Sequence, residues 1–152
     1  VRQTMNKINI GSKLLALVGI ITVLMGLHFI LIRPSFVFLP EDLKYAQTTM
    51  AEINPYLVGW IKMVFRSWGS FVFATGVYLT GISLTAFRRK EKWAWLTVAI
   101  ASIVNFSVFF SVNVLLKGDF VLLIGFMLLA TIVALIITYK DFFVSALKHK
   151  GQ

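Results

Sequence analysis

The chain comprises 152 residues, 59% of them hydrophobic and only 14% charged, with a mean hydropathy of +0.86; that balance excludes both a water-soluble domain of ordinary kind and a disordered chain. Fifteen Lys and Arg against six Asp and Glu give a formal charge of +9, but these charges lie between long apolar runs, which points to a membrane rather than to nucleic acid. The absence of Cys removes disulfides, thiolate metal sites and Cys nucleophiles.

The first uncharged apolar run is Leu14 to Ile32, closed by Arg33 and Pro34. At helical rise it covers roughly 28 Å, close to the thickness of a hydrocarbon core. Lys7 and Lys13 would suit the basic flank of a signal peptide, yet the run is too long for an h-region and no small-x-small site follows it, so it is read as a retained span. Pro34 to Val58 is the one sizeable stretch outside the apolar runs. In it Leu43, Ala46, Met50 and Ile53 recur at helical spacing, Pro40-Glu41-Asp42 fits a helix start and Asn54-Pro55 a stop. A short amphipathic helix on the membrane surface is expected there.

The second run is Ser67 to Phe87, which Gly59 to Arg66 could extend outward. Trp93 to Leu116 is the third, long enough to require tilt, and Phe120 to Tyr139 is the fourth. Uninterrupted runs of this kind lack the alternation of barrel strands, and lipid leaves helices as the other way to satisfy the backbone. The chain therefore reads as a single domain, residues 1–152. It is an all-α integral membrane protein: a four-transmembrane-helix antiparallel bundle with a short amphipathic extracytoplasmic helix between helices 1 and 2. The connections Arg88 to Lys92 and Lys117 to Asp119 are short, so the second, third and fourth helices are expected to be sequential neighbours.

Ten of the fifteen basic residues fall on one side of this arrangement: Arg2, Lys7, Lys13, Arg88, Arg89, Lys90, Lys92, Lys140, Lys148 and Lys150. The positive-inside rule then puts both termini in the cytoplasm. Trp93 and Trp95 beside the basic turn, and Tyr139 beside Lys140, stand where interfacial anchors sit.

No Asp or Glu lies within these four runs, which argues against proton-coupled antiport. His28 is their one ionisable residue; with His149 on the opposite surface, an intrachain haem pair is not expected. The default reading of His28 is an interhelical hydrogen bond. Asn105, in a strip with Ala94, Thr97 and Ala101, is the second candidate for an interhelical polar contact. At the outer boundary Lys62 and Arg66, four residues apart, and Arg33 form a cationic group. It serves either snorkelling and ion pairs with Glu41, Asp42 or Glu52, or the head group of an anionic lipid or carboxylate ligand. Walker, Rossmann, zinc-ligand and serine-nucleophile motifs are missing from the sequence, so no catalytic residue, metal ligand or cofactor is assigned.

Helix 1 closing at Arg33-Pro34, an amphipathic outer segment, a second helix opening near Phe65-Arg66-Ser67-Trp68 and the basic turn Phe87-Arg88-Arg89-Lys90-Glu91-Lys92-Trp93-Ala94-Trp95 together resemble the small bacterial inner-membrane proteins described as DoxX-like. The resemblance implies a bacterial inner-membrane location and a membrane redox context, and carries over no catalytic residue. Two functions are expected. The first is a non-catalytic accessory or structural subunit, or a homo-oligomer, packed in lipid against other membrane subunits or itself. The second is a binder or carrier of a small amphiphile, quinone or lipid, held at the outer boundary by Arg33, Lys62 and Arg66. An enzyme using His28 as acid or base ranks third, and nucleic acid is not expected as a partner.

Overall fold

The computed structural model describes residues 2–143, excepting the side chains of residues 2–5 and 41. The basic residues Lys148 and Lys150 used for orientation, and His149, lie outside the described residues. Every element among those described is helical: α1 (Arg2–Leu27), α2 (Pro40–Ala46), α3 (Pro55–Leu84), α4 (Lys92–Leu116) and α5 (Val121–Phe143), with a π-helical turn at His28–Ile32 and 3-10 turns at Arg33–Ser35 and Met50–Glu52. Three stretches are long and apolar enough to cross a membrane: Asn6–Ser35, Lys92–Leu116 and Val121–Phe143. α3 is as long as the longest of these, but Ser67, Gly69, Ser70, Thr75, Gly76, Thr80, Gly81 and Ser83 dilute its apolar character.

What those small residues do is visible in the contact between α1 and α3, the most extensive in the molecule. A Cβ on Gly76 would stand 2.5 Å from the backbone N of Val23; one on Gly19 would stand 2.8 Å from the N of Thr80, and one on Gly26 would run into the backbone of Phe73. The two backbones are thus in direct contact, a close approach that only small residues allow. The pairs Ser12 with Ser83, Gly19 with Thr80, Gly26 with Phe73 and Ile30 with Gly69 rise along α1 and fall along α3. Ser12 Oγ donates to the Ser83 carbonyl at 2.7 Å, fixing the register at that end.

α5 packs on the other side of α1 and also against α4. Ile124, Met127, Ala134 and Leu135 of α5 meet Leu15 and Val18 of α1 and Val98 and Phe106 of α4 in the core. The buried hydroxyls of Thr22, Thr131 and Thr138 bond back to the carbonyls of Val18, Met127 and Ala134, so none needs a partner from outside its own helix. At the end where α3 turns into α4, Phe87 is fully buried and its ring lies 4.8 Å from that of Phe142.

Three expectations differ from this arrangement. α3 and α4, joined by the short Arg88–Lys92 connection, meet only sparsely, because α3 spends its small-residue face on α1. The outer amphipathic helix is not continuous: α2 ends at Gln47 in the left-handed conformation (φ 52°), and Met50–Glu52 forms a separate 3-10 turn, so Leu43, Ala46, Met50 and Ile53 do not share one helical face. Finally, α5 runs on to Phe143 and brings Asp141 into a helix long enough to span, where the sequence reading had no acid.

Candidate functional site

Because α3 and α4 diverge, the side of the bundle between them is a groove. Its outer end is a cavity of about 450 Å³ walled by Phe29, Phe65, Trp68, Phe109 and Phe120, with Val37, Phe38 and Leu39 of the outer segment above it. That volume is in the range of small-molecule pockets. Trp68, Phe109 and Val112 also line a second pocket of about 380 Å³, further along the groove, which has Thr22 and Met127 at its floor and Asn105 on its α4 wall.

The aromatic wall is set by the π-helical turn at the end of α1. π-turns inside α-helices recur at functional positions, and this one holds Phe29 buried with its ring 4.5 Å from Trp68 in edge-to-face contact. Trp68 meets Phe109 at 5.2 Å in the same way. This stack from the π-turn, α3 and α4 bridges the groove near its outer end and forms the aromatic wall of the cavity.

Arg33 follows the π-turn and is buried. Its Nη1 donates to the carbonyls of Phe36 and Val37, and its Nη2 to Asp42 Oδ2 at 2.7 Å; the guanidinium also lies 4.7 Å from the centre of the Phe65 ring. Asp42 Oδ2 accepts the Leu39 amide at 2.9 Å as well, which ties the start of α2 to the same cation. Arg33 therefore folds the outer segment over the cavity, in the ion-pair role that was one of its two expected uses.

Lys62 and Arg66 are exposed and do not line the cavity; Ile61, Val64, Phe65 and Trp68 are the α3 residues that do. The structure thus places Arg33 at the cavity and the other two cations on a different face of α3. His28 makes no hydrogen bond among the described residues; its ring sits edge-on to Phe120 at 5.6 Å, an aromatic contact from α1 to the residue before α5. Asn105 is exposed on the groove wall and likewise makes no side-chain hydrogen bond there.

Two features were not legible in the sequence. Asp119 lines the cavity from the α4–α5 turn, a position that only the tertiary path of the chain reveals. Asp141 is buried and its Oδ2 has no hydrogen-bond partner among the described residues, because α5 continues one turn past the last apolar residue of its run and packs there beside Phe87. Among the described residues no group of His, Asp and Glu stands close enough to hold a metal ion.

No family model matches the chain, and neither a curated protein nor a solved structure matches it.

Proposed function

We propose that this is a four-helix protein of the bacterial inner membrane, with both ends cytoplasmic, whose groove between α3 and α4 binds or carries a small amphiphile. The support for a fourth span is that α3 lies backbone to backbone along α1, from Ser83 beside Ser12 to Gly69 beside Ile30. A helix so paired shares the slab that α1 crosses, and the order of the pairs makes the two antiparallel. The basic turn Arg88-Arg89-Lys90 and the basic residues of α1 before Leu14 then share the cytoplasmic side.

The observation that carries the ligand reading is the groove itself: two consecutive helices, held apart, with an aromatic-walled cavity at one end and an apolar trough leading from it. In a bilayer this trough opens sideways to the acyl chains, so an amphiphile enters with its tail in lipid and its polar end under the outer segment. The reading needs no catalytic group. A likeness to DoxX-like proteins fits the same layout and stands beside it as part of the proposal.

Purification in mild detergent followed by native mass spectrometry tests it. The protein should retain an amphiphile that Val108→Trp, which fills the groove from an exposed position, displaces. A bound mass indifferent to that substitution, or none at all, defeats the reading. A second reading, an accessory subunit or homo-oligomer, is favoured by the bare outer face of α4, where Ile100 and Leu115 are each 67% exposed. A stable larger particle of defined stoichiometry in mild detergent would support it.

A further inference from the structure

The charges that line the cavity point to the class of amphiphile. From the groove reading just given, we infer that the polar end of its ligand is cationic, an ammonium group, rather than a phosphate or carboxylate. Three charged residues line the cavity: Arg33, Asp42 and Asp119. Arg33 is engaged by two carbonyls, by Asp42 and by the face of Phe65. Its charge is neutralised by Asp42 at 2.7 Å, so it leaves the cavity no net positive charge.

Asp119 remains, exposed and in no ion pair among the described residues. Asp42 also engages only Oδ2, leaving Oδ1 without a hydrogen bond among the described residues. The formal balance of the lining is therefore negative, with two carboxylates against one spent guanidinium. The cations that would have favoured an anion, Lys62 and Arg66, do not line it. Lys44 and Lys117 line a separate pocket beside α2 with Tyr45 and Leu115.

The remaining walls suit the same ligand. The rings of Phe29, Trp68, Phe109 and Phe120 line the cavity, and an aromatic enclosure beside carboxylates is the recognition chemistry of ammonium and quaternary ammonium groups. At about 450 Å³ the cavity takes such a head together with its first methylenes, while the trough past Val112 receives the rest of the chain.

The whole protein carries +9, so adventitious attraction would select anionic amphiphiles; a cationic preference at this cavity runs against the molecule's overall field. The test uses brominated alkyl chains of one length, bearing a trimethylammonium, a hydroxyl or a sulfate head, added to the full chain in nonionic detergent. Quenching of Trp68 is read as the difference between the wild-type chain and Trp68→Phe, a substitution at a partly exposed position.

The expected result is apparent affinity about ten-fold higher for the trimethylammonium probe than for the other two. Asp119→Asn should remove about five-fold of it, and Lys62→Gln should remove none. Equal quenching by all three heads, or preference for the sulfate or the hydroxyl, overturns the cationic inference while leaving the groove as a binding site. Failure of any probe to quench Trp68 overturns both the inference and the groove reading. Quenching that appears only on dilution, as a larger particle dissociates, assigns the groove to a second copy and also overturns both.

Discussion

Arg33 is the residue on which the outer face of the molecule turns. Its side chain is about nine-tenths buried against Asp42, whose carboxylate is only partly covered, so removing either partner leaves a charge of different cost. Asp42→Asn strands a buried guanidinium with two carbonyls and one aromatic face, and should lower stability by about 2 kcal/mol. Arg33→Lys keeps the charge but loses the fork that reaches carbonyls and carboxylate together. Both variants should speed amide exchange at Leu39, whose N–H is held by Asp42, with no change at the Ser12–Ser83 end. Asp141 presents the reverse case, since its Oδ2 is buried without a hydrogen-bond partner among the described residues. Asp141→Asn removes a desolvated charge at constant shape, and should raise the thermal midpoint by an amount corresponding to about 1 kcal/mol. The sequence allowed the first of these features, because Arg33 and Asp42 stand nine residues apart around a proline turn. It hid the second, because an apolar run ends at its last apolar residue whereas a helix ends where its packing ends. Lys62 and Arg66 show a further limit: spacing put them on one face of a helix, but only the tertiary fold decides which face looks into the cavity.

Among the elements, the two that carry small residues divide by what those residues touch. Gly19, Gly26, Gly69 and Gly76 meet a facing backbone, whereas Gly59 and Gly81 meet nothing. Gly26→Ala should cost about 1–3 kcal/mol, since neither the backbone of α3 nor that of α1 can yield easily. Gly81→Ala should be neutral or stabilising by up to about 1 kcal/mol through helix propensity. Thermal unfolding in detergent compares the two, and equal effects would refute the backbone contact. The strips were legible as packing faces; which helix they faced was not, since propensity and period are blind to the choice between neighbours in sequence and in space. The outer segment makes a second case. Its apolar spacing looked like one helix, but the chain breaks at Gln47, and Glu52 closes the following turn by accepting the Thr49 amide at 3.0 Å and the Thr48 hydroxyl at 2.9 Å. Those bonds, the backbone one foremost, hold the Glu52 carboxyl below its ordinary value of 4.5. A carboxylate with a depressed folded value stabilises fully above its unfolded value, and that stabilisation is lost as pH falls through the folded value. The Thr49 amide should therefore exchange faster, relative to its intrinsic rate, as pH falls below the ordinary value and through the depressed folded one, and Glu52→Gln should abolish this dependence.

Over the whole molecule, the positions of charge, small residues and aromatic rings agree on one arrangement in the bilayer, and a single labelling experiment tests that agreement. If α3, packed so closely on α1, crosses the same slab as proposed, the Arg88–Lys92 turn and the outer segment Phe36–Ile53 lie on opposite sides. In the proposed topology the excess of Lys and Arg near that turn assigns its side to the cytoplasm. Since the chain contains no Cys, one introduced thiol is the only thiol present, and its accessibility reports its compartment without background. Thr48→Cys, at a half-buried position of the outer segment, should react with a membrane-impermeant maleimide in intact cells. Lys90→Cys, at an exposed turn position with φ of 61°, should react only after the cells are opened, and Lys90→Gly/Thr48→Cys should label as Thr48→Cys alone. If both single variants label from outside, α3 does not cross the membrane, and a bundle of three spans with α3 laid along α1 would have to place a guanidinium-rich turn on the same face as the outer segment. Such a bundle would contradict the charge asymmetry and also remove the lipid-facing mouth of the groove, because a trough between α3 and α4 opens to acyl chains only when both helices run through them.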